Sequence, residues 1–130
     1  MGADAYDPLY LRGADCFNKE AFFESHEVWE DLWIRERGPS RQFYKGLIQA
    51  AVSLHHLGRG NLRGARTLSA RSQACLTPYR PKYLGLDVDA FLLALERCVA
   101  GAPAGEPTAV AIDRAKIPRI RLDARPDSPS

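Results

Sequence analysis

Long apolar runs are missing from this chain of 130 residues. A bilayer-spanning helix needs about 18 or more consecutive apolar residues, so neither a membrane span nor a membrane partner is expected. Cysteine is scarce: Cys16, Cys75 and Cys98 stand far apart and are odd in number. Such spacing gives neither a disulfide framework nor a zinc pattern. The thiols read as small buried hydrophobes in a reducing, cytoplasmic setting. The opening MGADAYDPLY lacks the basic patch and apolar stretch of a secretion signal, and Tyr6 stands where myristoylation requires Ser or Thr. Net charge is only +2, with basic residues that look scattered apart from mild concentrations over 59–71 and 114–125. That balance argues against nucleic acid as a partner. No internal repeat and no β-rich region with hairpin signals is visible.

What is present is ordinary for a globular protein: 45% hydrophobic and 26% charged residues, in a length that suits one domain. Asp7-Pro8 reads as the cap and first residue of a short helix to about Phe17. Asn18 is placed to cap a second helix, about Lys19 to Arg35. Gly38-Pro39-Ser40 marks a turn before a third helix, about Ser40 to Leu57, with Phe43, Leu47, Ala50, Leu54 and Leu57 at helical spacing. Asn61 caps a fourth helix to about Leu76, a loop follows through Gly85, and Asp87 caps a fifth helix to about Ala100. The expected fold is an all-α bundle of four to five helices over residues 1–101. Residues 102–130 form a Pro-rich C-terminal extension. Within it, one turn over 109–115 and an extended IPRIRL segment (117–122) lying against the bundle are expected.

The second helix carries the densest chemistry. In FNKEAFFESHEVWEDLW (17–33), Glu24, His26, Glu27 and Glu30 lie among Phe22, Phe23, Trp29 and Trp33. Charged groups are rarely buried without partners, so this composition predicts a paired polar cluster at or near a core. At about 100° per residue, Phe22, His26, Trp29 and Trp33 share one stripe, with Glu30 on its edge. His26 and Glu30 can therefore converge on one dry interior point facing the third helix. Glu27 reaches it from the rim, and Glu24 is the weakest member.

HEVWE resembles the HExxH zinc signature with Glu30 in place of the second histidine. Two ligands one turn apart can bind a metal, and the glutamate after the first can serve as a base. Zinc would need a third ligand, and iron or manganese would suit a carboxylate-rich bundle site. On the third helix Gln49, Ser53, His56 and Gly60 form a small, polar stripe, while His55 lies about 100° from His56. That stripe could line a pocket or form a tight seam with Gly46 and Ala50. The purely structural alternative has His26 and Glu30 bonded to each other or to Gln49, with Arg59 neutralising a carboxylate.

With FNKEAFFESHEVWEDLW, YKGLIQAAVSLHH (44–56) and RGNLRGA (59–65) in hand, the chain resembles the family catalogued as domain of unknown function 309. These small all-helical proteins are described as predicted metal-dependent hydrolases. The resemblance implies site roles for Glu24, His26, Glu27 and Glu30, joined by Gln49 and His56, with Arg59 and Asn61 at the margin. On that reading His26, Glu30 and His56 are metal ligands for Zn, Mn or Fe, Glu27 is the general base, and the substrate is an unidentified small molecule. A homo-oligomer is compatible with it. The rival expectation is a non-enzymatic binding or scaffold module whose His/Glu cluster is structural.

Overall fold

The computed structural model describes residues 6–101 and 114–124. Its helices are α1 (Pro8–Asn18), α2 (Phe22–Arg35), α3 (Arg41–Gly58), α4 (Leu62–Leu76) and α5 (Val88–Ala100), so the all-α expectation holds. Three start as their cap residues dictate. Asp7 accepts from the Leu9 N–H ahead of Pro8, Asn61 from Gly64 and Asp87 from Ala90, each oxygen satisfying a donor that the first turn leaves free. α3 lies between α2 and α4, α1 packs on α2, and α5 on α4.

Asn18 departs from its expected role. α2 begins at Phe22, behind Ala21, without a side-chain cap. The Asn18 amide instead pairs with the backbone of Ile120 in both directions, each bond 2.8 Å long. It imitates a neighbouring strand, and Ile117 and Ile120 are buried. Further along, the Tyr6 hydroxyl donates to the Asp123 carbonyl at 2.7 Å, and the Asp123 N–H donates to Gly85. The turn expected over 109–115 falls mostly outside the described residues, while Arg114–Lys116 form a single 3-10 turn.

The loop after α4 contains a small antiparallel hairpin, β1 (Lys82–Tyr83) and β2 (Leu86–Asp87), with Tyr83 opposite Leu86. Leu84 (φ 45°) and Gly85 (φ 76°) make its two-residue turn, in the left-handed conformations that match strand twist. Strands of two residues are too short to show an alternating pattern, which is why sequence periodicity missed them.

Two seams are tight. Between α1 and α2, the Trp29 indole N–H donates to the Tyr10 carbonyl at 3.2 Å and Ser25 donates to the Gly13 carbonyl at 2.9 Å. A Cβ at Gly13 would lie 2.1 Å from the indole nitrogen. Between α3 and α4, Ser53 donates to the Ala65 carbonyl and Ser72 to the Gly46 carbonyl, at 2.6 and 2.7 Å. A Cβ at Gly46 would lie 2.5 Å from Leu76 Cγ. Ser53 thus belongs to a seam and not to a pocket. Cys16 and Cys75 are half-buried and only Cys98 is buried. Among the described residues, no helix is long and apolar enough to cross a membrane.

Candidate functional site

α2 buries Phe22, Ser25, Trp29 and Leu32. The stripe through His26 and Trp33 expected from periodicity is rotated toward Ser25 and Leu32, leaving His26 and Trp33 half-buried on its edge. The buried acidic cluster is also corrected: Glu24, Glu27 and Glu30 are all exposed. Desolvating three carboxylates without cationic partners costs far more than the helix can recover, whereas one Ser hydroxyl is satisfied by a single carbonyl. The expected stripe left Ser25 out, and burial of its satisfied hydroxyl turns the helix toward that residue.

His26 and Glu30 do come together, with Nε2 and Oε1 3.8 Å apart. The spot is not dry, since the His26 side chain is 19% exposed and that of Glu30 51%. Glu24 and Glu27 make no hydrogen bond or ion pair among the described residues. Across the α2–α3 groove, a cavity of about 290 Å³ is lined by Phe23, His26, Val52, His55 and His56. Every histidine of the chain reaches it. The Phe23 ring, 51% exposed, lies between two of them, with centroids 5.0 Å from His26 and 5.5 Å from His55. Neither Phe23 nor Val52 was singled out from sequence. The usable signal was an aromatic three residues before His26, on a helix facing a histidine pair.

Hydrogen bonding sets the two outer imidazoles in opposite tautomers. His26 Nδ1 lies 2.7 Å from the Phe23 carbonyl, which can only accept, so Nδ1 carries the proton and neutral Nε2 presents a lone pair. At the other wall, Asn61 Oδ1 accepts from the Gly64 N–H at 2.9 Å, which turns the Asn61 amide nitrogen toward His56 Nδ1 at 3.2 Å. That nitrogen must accept, so His56 carries its proton on Nε2. A Cβ at Gly64 would lie 2.6 Å from the Asn61 amide nitrogen and 3.1 Å from His56 Cδ2. Gly64 therefore leaves room for the arrangement, and Asn61 is a cap and an orienter together.

Between them, burial pushes the His55 imidazole below its ordinary pKa, and the positive charge of the nearby Arg59 guanidinium adds to the effect. Arg59 is exposed and, among the described residues, pairs with no carboxylate. Gln49 does not line the cavity; its Oε1 is buried without a hydrogen-bond partner, so it bonds neither His26 nor Glu30. Farther along the groove the Arg41 guanidinium stacks 4.0 Å over Trp33.

The expected metal set meets this geometry poorly. His26 and Glu30 form a two-donor pair, but His56 Nδ1 is occupied by Asn61 and its Nε2 bears hydrogen. Among the described residues, no group of three or more His, Cys, Asp or Glu side chains is arranged to hold a metal ion. Glu27, cast as the base, is exposed and does not line the cavity.

Comparison with known proteins places these features. The "Uncharacterized protein YpuF" of Bacillus subtilis (strain 168) is 40% identical over 52 residues, 39% of this chain and 30% of that protein. An "Uncharacterized protein" of Aquifex aeolicus (strain VF5) is 23% identical over 108 residues, 82% of this chain and 32% of its own length. The chain thus spans about a third of the length of these curated relatives. A family model described as "Domain of unknown function (DUF309)" matches residues 10–68. That stretch contains α2, α3, the whole cavity lining, Asn61 and Gly64, and over it the chain is similar to the domain of unknown function 309 family.

Proposed function

We propose that this chain is a non-catalytic binding module whose histidine pocket takes a flat group with apolar faces and a hydrogen-bonding edge. The observation that carries this reading is the pairing of opposite tautomers in one cavity that an aromatic ring also lines. His26 offers an acceptor and His56 a donor, while Phe23 and Val52 supply apolar surface. A carboxamide or a heteroaromatic lactam carries the complementary donor and acceptor side by side. The cavity is at the small end of the range for ligand sites, so it suits one ring or one side-chain head and not a large cofactor.

The test is an NMR titration of the imidazole carbons with uracil, 2-pyridone and nicotinamide, using toluene as an apolar control. Saturable shifts at all three histidines with the lactams and amide, and none with toluene, are expected. Absence of saturable shifts, or identical shifts in His26→Ala, would overturn the reading. The metal-dependent hydrolase alternative has the His26–Glu30 pair in its favour and, among the described residues, lacks a third donor. Stoichiometric zinc, manganese or iron lost on His26→Ala or Glu30→Ala would displace the binding-module reading in its favour.

A further inference from the structure

Charge along this chain is segregated, and the net value of +2 conceals it. Residues 1–36 hold nine Asp or Glu against three Lys or Arg. Residues 37–86 hold nine Lys or Arg and no acidic residue at all. Some of those nine are already engaged: Arg41 on Trp33, Arg80 with Asp89, and Lys82 with Asp123. Arg59, Arg63, Arg66 and Arg71 are different. All four are exposed, and none forms an ion pair among the described residues. Three of them stand on α4, whose other face is buried through Leu62, Ala65, Ser69, Ser72 and Leu76. The fully exposed positions of that helix between Arg63 and Ala74 are arginine and small residues only.

This ridge runs into the histidine pocket. Arg59 is close enough to act on His55, and the first turn of α4 touches His56 through Asn61. Near-balanced net charge speaks against nucleic acid only while the charges are mixed, and here they are segregated. Folding also sets Phe23 and three imidazoles at the ridge's end.

We propose that the arginine ridge of α4, with Arg59, binds the phosphate backbone of a single-stranded nucleic acid, one base of which enters the pocket beside Phe23. Arginine is the residue best matched to phosphate, through its planar fork of donors. The base half of the proposal rests on the pocket reading above; the ridge half does not. Flat bases with adjacent donors and acceptors fit the edge that His26 and His56 present, and stacking on aromatic rings is how sequence-tolerant single-strand binders hold bases. The acidic face of α2 (Glu24, Glu27, Asp31) repels the backbone and confines it to the arginine side.

Fluorescence anisotropy with a labelled oligo-uridylate of about 12 nucleotides tests both halves. Four phosphate contacts predict a slope of log affinity against log salt near about −3. Arg63→Glu with Arg66→Glu should weaken binding by about tenfold or more and flatten that slope. Phe23→Ala should weaken it by about tenfold while leaving the slope unchanged. These arginines are exposed, so circular dichroism melts should match the parent. No binding at about 50 mM salt, or binding indifferent to the arginine reversals, overturns the proposal. Equal affinity for poly-glutamate overturns the assignment to nucleic acid, and an unaffected Phe23→Ala variant removes the base from the pocket.

Discussion

The two sides of α3 are built differently. Toward α4 it presents Gly46, Ala50 and Ser53, and the neighbouring helix comes close enough for Ser53 and Ser72 to bond carbonyls across the gap. Toward α2 it presents Val52, His55 and His56, and there the helices leave a cavity. Small residues with self-contained hydrogen bonds close a seam; bulky rings with polar edges left to face a groove keep one open. The same helix thus serves as core on one side and as binding wall on the other.

Overfilling the closed side should cost most. Gly46→Val drives new carbons into Leu76 and is expected to lose about 3 kcal/mol, read from urea unfolding. On the open side Val52→Ala should cost about 1 kcal/mol or less, because Val52 is only half-buried. Equal losses would erase the contrast. Asn61→Ala comes next, with about 1 kcal/mol lost from the cap. The same variant frees His56 Nδ1, so carbon-13 shifts of that ring should report a mixed tautomer; an unchanged tautomer would detach Asn61 from the pocket.

Glu30→Ala should change stability by less than about 0.5 kcal/mol, as expected for a half-exposed carboxylate 3.8 Å from a neutral imidazole. A loss of about 3 kcal/mol would restore the buried-glue reading of the acidic cluster. The smallest effect concerns pH. His55 has a lowered pKa when folded, so below about pH 6.5 the unfolded chain takes up the proton more readily. The stability that His55 contributes is therefore complete above that pH and declines as pH falls toward the folded value. His55→Gln should flatten this part of the stability profile, and an unaltered slope would place its origin elsewhere.

Much of the fold was legible because its signals are local. Asp7-Pro8, Asn61 and Asp87 announce helix starts through side-chain chemistry that needs only two or three neighbours. Asn18 misled for the converse reason: its partner, Ile120, lies 102 residues away. The site was half legible. The pattern put His26 and Glu30 side by side, and they are. It could not tell that Ser25 would take the buried position, because a serine hydroxyl satisfied by a distant carbonyl looks polar in any periodicity count. Nor could it show that His55 and His56, about 100° apart on their helix, would border one cavity wide enough for both.

The hydrogen bond between Tyr6 and Asp123 ties together two residues 117 positions apart. Both residues sit by the hairpin, whose Tyr83 ring rests 4.9 Å from Phe43 near the start of α3. The histidines occupy the far end of that helix, about 18 Å away at 1.5 Å per residue. Tyr6 and Asp123 thus share one pole of the described residues and the pocket takes the other. A fluorophore attached on the hairpin would then sit a helix length away from a ligand in the pocket.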